Sequence, residues 1–255
     1  MSKILQNIEA NAFLTAEEIT LSKQFIEQGY CIIPVEDLAG LDKIRAEIVA
    51  HCVDLLKCAP PDDAGAFLNS IAERVGVAEL NDFRLSVFEG VNRQPWLRPT
   101  YFELARTALQ CLIGNELAMQ RRVNLSIQLP GDDSSLLPIH CDVWDGDSPF
   151  EMVLWLPLVD CFKTKSMFLA PPEVNAEVQA RLKEFRGRST DDLFEEVEPH
   201  LIWIDIPYGN ALLFNQNVMH GNRINVESET RWTMNCRFKG AFTPYAEKRL
   251  GEFFE

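Results

Sequence analysis

Basic residues are scarce in this chain. Its 255 residues include 24 Lys and Arg against 38 Asp and Glu, a formal charge of −14 with no Lys/Arg block. Such a balance leaves no electrostatic footprint for a phosphate backbone or an anionic membrane surface, so neither nucleic acid nor membrane is an expected partner. Long apolar runs are missing too. None approaches the roughly 20 residues that cross a bilayer. The opening MSKILQNIEANAF has neither the apolar segment of a secretion signal nor the Arg-rich amphipathic character of a transit peptide. Closely spaced cysteine pairs are also absent: Cys31, Cys52, Cys58, Cys111, Cys141, Cys161 and Cys236 are scattered, odd in number and without a CxxC. That excludes a disulfide framework and a structural zinc site, and it makes a reducing cytoplasm the expected location. Apolar residues are not in short supply. At 47% hydrophobic the chain can bury a full core, and disorder is excluded.

The length suits one large β-rich domain or two small ones. No repeat, low-complexity tract or linker divides the chain, so a single domain over 1–255 is expected. Thr15 followed by Glu18 forms a capping box and predicts a helix to about Gln28, ended by Gly29. Residues 30–35 read as a short strand. Leu41, Ile44, Ile48, Cys52 and Leu55 share one helical face, closed by Pro60-Pro61. Further helix is expected around 64–75 and 102–112, with no element assigned between them. From Asn124 the pattern becomes strand-like, over 124–129, 139–144, 151–159, 201–206, 211–215 and 231–239, with turn residues at Pro130-Gly131, Gly146-Asp147-Ser148-Pro149 and Tyr208-Gly209-Asn210. The expectation is a mainly β sandwich or barrel core over 121–241. A helical region over 1–120 packs on it, and a helical insertion interrupts it near 172–198. Apolar residues exposed in the helical third would allow a homodimer.

The chain has only four histidines, and two of them stand in a pattern. On a strand, His140 and Asp142 project to the same side while Cys141 points away. His220, from a distant strand, would complete a facial set of two imidazoles and one carboxylate, a ligand set that suits Fe(II) with open coordination positions. The bland alternative is a pair of half-buried histidines satisfied by hydrogen bonds. Arg231 lies eleven residues past His220 and could return antiparallel to the His220 strand, offering a guanidinium to a dicarboxylate. Its bland alternative is a surface arginine answering an acidic neighbour.

The run His140-Cys141-Asp142, then Gly209-Asn210-Ala211-Leu212-Leu213-Phe214 leading to His220-Gly221, then Arg231, resembles the phytanoyl-CoA dioxygenase-like branch of the Fe(II)/2-oxoglutarate-dependent oxygenases. The resemblance covers about 124–239, and Gly29-Tyr30-Cys31-Ile32-Ile33-Pro34 is similar to the strand that opens that family. It implies a double-stranded β-helix, a jelly-roll form. It also implies iron held by His140, Asp142 and His220, 2-oxoglutarate held through its distal carboxylate by Arg231, and O2 as co-reactant. The implied reaction couples decarboxylation of 2-oxoglutarate to oxidation of a substrate. Hydroxylation is the default outcome, while desaturation, epoxidation or ring formation stay open. Asp142 fills the position that related halogenases leave to a small residue, which argues against halogenation. A narrower resemblance, carried by residues 125–132, Ser148-Pro149-Phe150 and Leu154-Trp155-Leu156-Pro157-Leu158, is to oxygenases found sporadically among carbohydrate-biosynthesis genes; it implies a small, sugar-derived substrate. The sequence departs from the family at 165–172, where many members carry a Ser-His pair and this chain has no histidine.

Alternation places Asn124, Ser126 and Gln128 on one strand face, and Asn124 and Gln128 are candidate donors to 2-oxoglutarate or substrate; a solvent-facing edge strand is the alternative. Arg237 shares a face with Arg231 and either competes for the carboxylate-binding role or contacts an anionic group of the substrate. Trp144 and Trp155 are candidate pocket walls. His51 reads as a core or boundary residue, and His200 has no partner at ligand spacing. Two other classes remain open: a cupin-like metalloenzyme that uses no 2-oxoglutarate, and a non-catalytic carbohydrate-binding jelly roll.

Overall fold

The computed structural model describes residues 13–255, so the opening segment read above as free of targeting signals lies, Phe13 apart, outside the described residues. Helix α1 (Ala16–Gln28) begins at the capping box: the Thr15 hydroxyl accepts from the Glu18 amide at 3.2 Å, and the Glu18 carboxylate accepts from the Thr15 amide at 2.7 Å. It stops at Gly29, whose φ of 76° suits a residue without a Cβ. Strand β1 (Tyr30–Pro34) follows, then α2 (Leu38–Leu56), which buries Leu41, Ile44, Ile48 and Cys52 of the expected stripe but leaves Leu55 exposed.

Two helical expectations are corrected, and the unassigned segment between them is filled. The helix expected over 64–75 is only α3 (Ala64–Asn69) plus a short 3₁₀ turn. The unassigned segment after it is α4 (Val77–Asn92), which buries Leu80, Phe83, Val87 and Val91 at helical spacing. The helix expected over 102–112 is two, α5 (Leu97–Glu103) and α6 (Arg106–Ile113). The break follows from Glu36. Its amide takes the Leu104 carbonyl at 2.9 Å, and its carboxylate accepts from both the Thr107 amide and hydroxyl at 2.8 Å, capping α6 from outside.

The strands are β2 (Leu117–Met119), β3 (Asn124–Gln128), β4 (Glu151–Pro157), β5 (Phe168–Leu169), β6 (Ile202–Trp203), β7 (Asn210–Asn215), β8 (His220–Gly221) and β9 (Arg231–Gly240), with helices α7 (Pro172–Ala180) and α8 (Thr190–Val197) inserted between β5 and β6. All pairings between them are antiparallel. One sheet runs β1-β7-β4-β9-β2 with β3 also on β9; the other runs β6-β5-β8. The sheets corrected two expectations. Residues 139–144 do not form a strand: only His140 bridges, to His220, and Asp142–Asp145 is a 3₁₀ turn closed at Gly146 (φ 89°). Arg231 does not return beside the His220 strand either. It opens β9 in the large sheet, opposite Gln128 of β3, whereas β8 belongs to the small sheet.

Alternation along β4 and β7 decides what each face covers. Leu154, Leu156 and Leu213 join the cluster that α2, α4 and α5 complete through Ile44, Val87 and Tyr101. Val153, Trp155, Leu212 and Phe214 point the other way and meet Leu169 of the second sheet, with Met167 and Val218 beside it. A third cluster, with Cys141, Phe168, Val178, Phe194 and Met219, joins α7 and α8 to the small sheet.

Candidate metal centre

His140, Asp142 and His220 are brought together where the two sheets face each other. One ligand atom from each lies within 4.8 Å of the others. The positioning starts in the backbone. His140 and His220 exchange both amide-to-carbonyl hydrogen bonds, at 3.0 and 2.9 Å, which brings residues 80 apart in sequence side by side. Their rings lie 4.3 Å apart. Cys141 is extended, with φ −112° and ψ 136°, so Asp142 still turns to the His140 side although no strand continues. Cys141 faces the opposite way, into the third cluster.

Each imidazole is oriented by a backbone carbonyl. His140 Nδ1 is 2.8 Å from the Pro138 oxygen and His220 Nδ1 is 2.9 Å from that of Val218. With Nδ1–H donating there, each Nε2 faces Asp142, at 3.3 Å from Oδ1 for His140 and 4.0 Å from Oδ2 for His220, and in the neutral imidazole its lone pair is left for a cation. Burial, reinforced by the nearby His140, pushes the His220 pKa down to about 4, so its imidazole is neutral near neutral pH. Burial also opposes charge on His140, but the Asp142 carboxylate and the Pro138 carbonyl outweigh it and raise its pKa. Asp142 feels burial in the opposite sense; contacts with His140, His220 and Arg237 prevail and bring its pKa down to about 2. An ionised carboxylate and two convergent imidazole nitrogens are a donor set that fits Fe(II).

Behind the triad stands a second layer of which the sequence reading named only Arg237, and for a different role. Arg237 Nη2 lies 3.4 Å from Asp142 Oδ1 and 3.3 Å from Asp147 Oδ2, and Lys248 pairs with Asp147 as well. The Gln216 side chain, with its carbonyl accepting from Arg237 Nε at 2.8 Å, donates to Asp142 Oδ2. Alternation along β9 pointed to Arg237; nothing local in the sequence tied Asp147, Gln216 or Lys248 to it.

The triad opens into a cavity of about 700 Å³. Arg231 lines it and is only 5% exposed. Its Nη1 donates to the Ser166 carbonyl at 3.1 Å and its Nη2 to the Ser126 hydroxyl at 3.3 Å, while Nε has no partner among the described residues. Burial lowers its pKa to about 10, and it forms no ion pair among the described residues. Arg237, by contrast, is already engaged by two carboxylates. Asn124 also lines the cavity, but its amide donates to Asn235 at 2.9 Å and its carbonyl accepts from Gln120 at 3.2 Å.

Gln128 is a correction. It is fully buried outside the lining, and its amide donates to the Arg223 carbonyl at 2.8 Å. Trp155 lines the cavity and Trp144 does not, packing instead on the third cluster. His51 pairs with Glu47 on α2 at 3.2 Å, and His200 is exposed in a 3₁₀ turn. Arg84, on α4, also lines the cavity and escaped the sequence reading. The spacing of Leu80, Phe83, Val87 and Val91 was the signal that would have placed it.

No family model matches the chain, and no curated protein matches it in sequence. Among solved structures it is similar to HygX from Streptomyces hygroscopicus with nickel and 2-oxoglutarate bound, at 14% identity over 91% of this chain and 89% of that one, with a TM-score of 0.53. It is also similar to the non-heme alpha ketoglutarate dependent carbocyclase SnoK from nogalamycin biosynthesis, at 15% identity over 91% and 87%, TM-score 0.52. A third likeness is to AviO1 from Streptomyces viridochromogenes Tue57, at 14% identity over 91% and 99%, TM-score 0.51. At these identities the likeness is one of fold.

Proposed function

We propose that the chain is a non-haem Fe(II)- and 2-oxoglutarate-dependent oxygenase, built as one domain around a double-stranded β-helix. The observation that carries the reading is that one cavity holds both a convergent His140–Asp142–His220 set and a buried arginine, Arg231, without a carboxylate partner among the described residues. The fold shared with HygX, which carries 2-oxoglutarate, and with the alpha ketoglutarate dependent SnoK supports it.

In this reading His140, Asp142 and His220 hold iron, which with 2-oxoglutarate and O2 supplies an oxidant for a substrate C–H bond, releasing succinate and CO2. The residues of the chain do the rest. Arg231 receives the distal carboxylate of 2-oxoglutarate, a charge-assisted contact for a guanidinium already aimed by Ser126 and Ser166. Arg237 and Gln216 hold the Asp142 carboxylate in place. Trp155, Val153 and Phe214 form an apolar wall that excludes water near the reacting bond. The cavity has room for a small molecule beside the cosubstrate. The substrate we infer is a biosynthetic small molecule, sugar-derived on the narrower sequence resemblance. Arg231 weighs against a cupin-like enzyme without 2-oxoglutarate, which would have no use for a buried unpaired cation.

The deciding experiment is an anaerobic titration of the Fe(II)-loaded protein with 2-oxoglutarate. A visible metal-to-ligand charge-transfer band is expected. Its absence from folded, iron-loaded protein would overturn the reading.

A further inference from the structure

Three arginines line the cavity, and two of them have work assigned. Arg237 answers Asp142 and Asp147, and Arg231 is assigned to 2-oxoglutarate. The third, Arg84, is half-buried on α4. Its Nη2 donates to the Asn81 side-chain oxygen at 2.8 Å and its Nη1 to the Leu125 carbonyl at 3.4 Å. It forms no ion pair among the described residues.

Two independent arguments concern the ligand it awaits. The first is charge. On the oxygenase reading, Arg231 answers the distal carboxylate of 2-oxoglutarate, while Asp142 and Asp147 answer Arg237 and Lys248. Arg84 is the lining charge left over. The second is hydrogen-bond polarity. Asn81 gives its side-chain oxygen to Arg84, and Asn235 gives its own to Asn124 at 2.9 Å. Both amides therefore keep N–H for the cavity, as does the Arg84 guanidinium. A wall whose unspent amide and guanidinium groups are donors selects a ligand rich in acceptors.

We propose that the oxidised substrate carries an anionic group, a carboxylate or a phosphate ester, which Arg84 and Asn81 bind on the α4 side of the cavity. This inference rests on the oxygenase reading and adds the substrate's charge to it. Arg84 and Arg231 touch successive residues of β3, Leu125 and Ser126, so substrate and cosubstrate anions are recognised along one strand by different cations.

The test uses the anaerobic protein loaded with Fe(II) and 2-oxoglutarate, titrated with matched pairs: glucuronate and its methyl ester, glucose 6-phosphate and glucose, and short hydroxycarboxylates and their methyl esters. Perturbation of the charge-transfer band and the binding isotherm are the readouts. At least one charged member should bind about tenfold or more tightly than its neutral partner. Arg84→Ala should erase that preference and Arg84→Lys should keep part of it, with iron and 2-oxoglutarate affinity unchanged in both. Equal binding of neutral partners, silence of every charged member, or a preference that survives Arg84→Ala would overturn the proposal. Loss of 2-oxoglutarate affinity in Arg84→Ala would overturn it too, by giving the residue to the cosubstrate. A missing charge-transfer band in the wild-type protein would be a different failure, bringing down the oxygenase reading and this inference with it.

Discussion

A guanidinium buried without a carboxylate is a cost to the empty fold, because the desolvation of its charge is offset only by neutral acceptors. Arg231 stands in that position, with Nε unpartnered and its pKa lowered to about 10 by burial. Arg231→Met should therefore stabilise the metal-free protein by about 1 kcal/mol or more while weakening 2-oxoglutarate binding at least about a hundredfold, the scale of a lost charge-assisted contact. Thermal melts and cosubstrate titrations check the two halves separately. The imidazoles give a complementary prediction: His140→Ala or His220→Ala should abolish stoichiometric Fe(II) binding while leaving a folded protein, measured by metal analysis and circular dichroism. At this scale the sequence was most readable where chemistry is compact. Two side chains on either side of one extended residue can be seen without a structure, as can an arginine at a set distance from a histidine. The environment of Asp142 was not readable, because Arg237, Gln216 and Asp147 come from three separate segments and meet only in space.

Among the elements, β8 is two residues long yet carries a metal-ligand candidate, and its second residue shows how closely it is packed. A Cβ on Gly221 would stand 2.7 Å from the Leu137 carbonyl oxygen, 2.8 Å from the Phe168 ring and 3.1 Å from the Pro138 carbonyl carbon. Two of these are backbone atoms in the segment leading into His140, so it must shift to make room. Gly221→Ala should destabilise the protein by about 1–3 kcal/mol and weaken iron binding. Unchanged metal affinity in a metal titration would show that the segment adjusts without moving His140. Element-level legibility followed the same division. Long amphipathic patterns such as α2 and bounded strands such as β9 were readable from periodicity. Residues 139–144 were not, since a single bridge followed by a 3₁₀ turn has the composition of a strand. The break between α5 and α6 depends on Glu36, some 70 residues earlier, and no local pattern records it.

For the whole molecule, the formal charge is −14, yet the inter-sheet cavity is lined by three arginines and one carboxylate. Its pH response should be led by one buried group, opposed in part by Glu151, whose pKa is raised by burial and the neighbouring Asp147. His220 has its pKa lowered to about 4 from 6.5, so between those values the unfolded chain takes up a proton that the fold refuses. Stability therefore falls as pH drops from about 6.5 to 4, by on the order of 3 kcal/mol from this group. The raised pKa of His140 acts above that window and the lowered one of Asp142 below it. Denaturant unfolding of metal-free protein at several pH values should show the slope, and His220→Gln should flatten it.

The reciprocal backbone hydrogen bonds between His140 and His220 have a further consequence. The two imidazoles become neighbours only after the chain has closed a loop of about 80 residues, which contains β4, β5, α7, α8, β6 and β7. A nascent or partly folded chain offers a cation at most the local pair of His140 and Asp142, whereas the finished chain offers all three at once. On the proposed oxygenase reading, metal occupancy would then be a census of completed molecules: immature copies would not sequester scarce iron, nor start oxidative chemistry before there is a pocket to contain it.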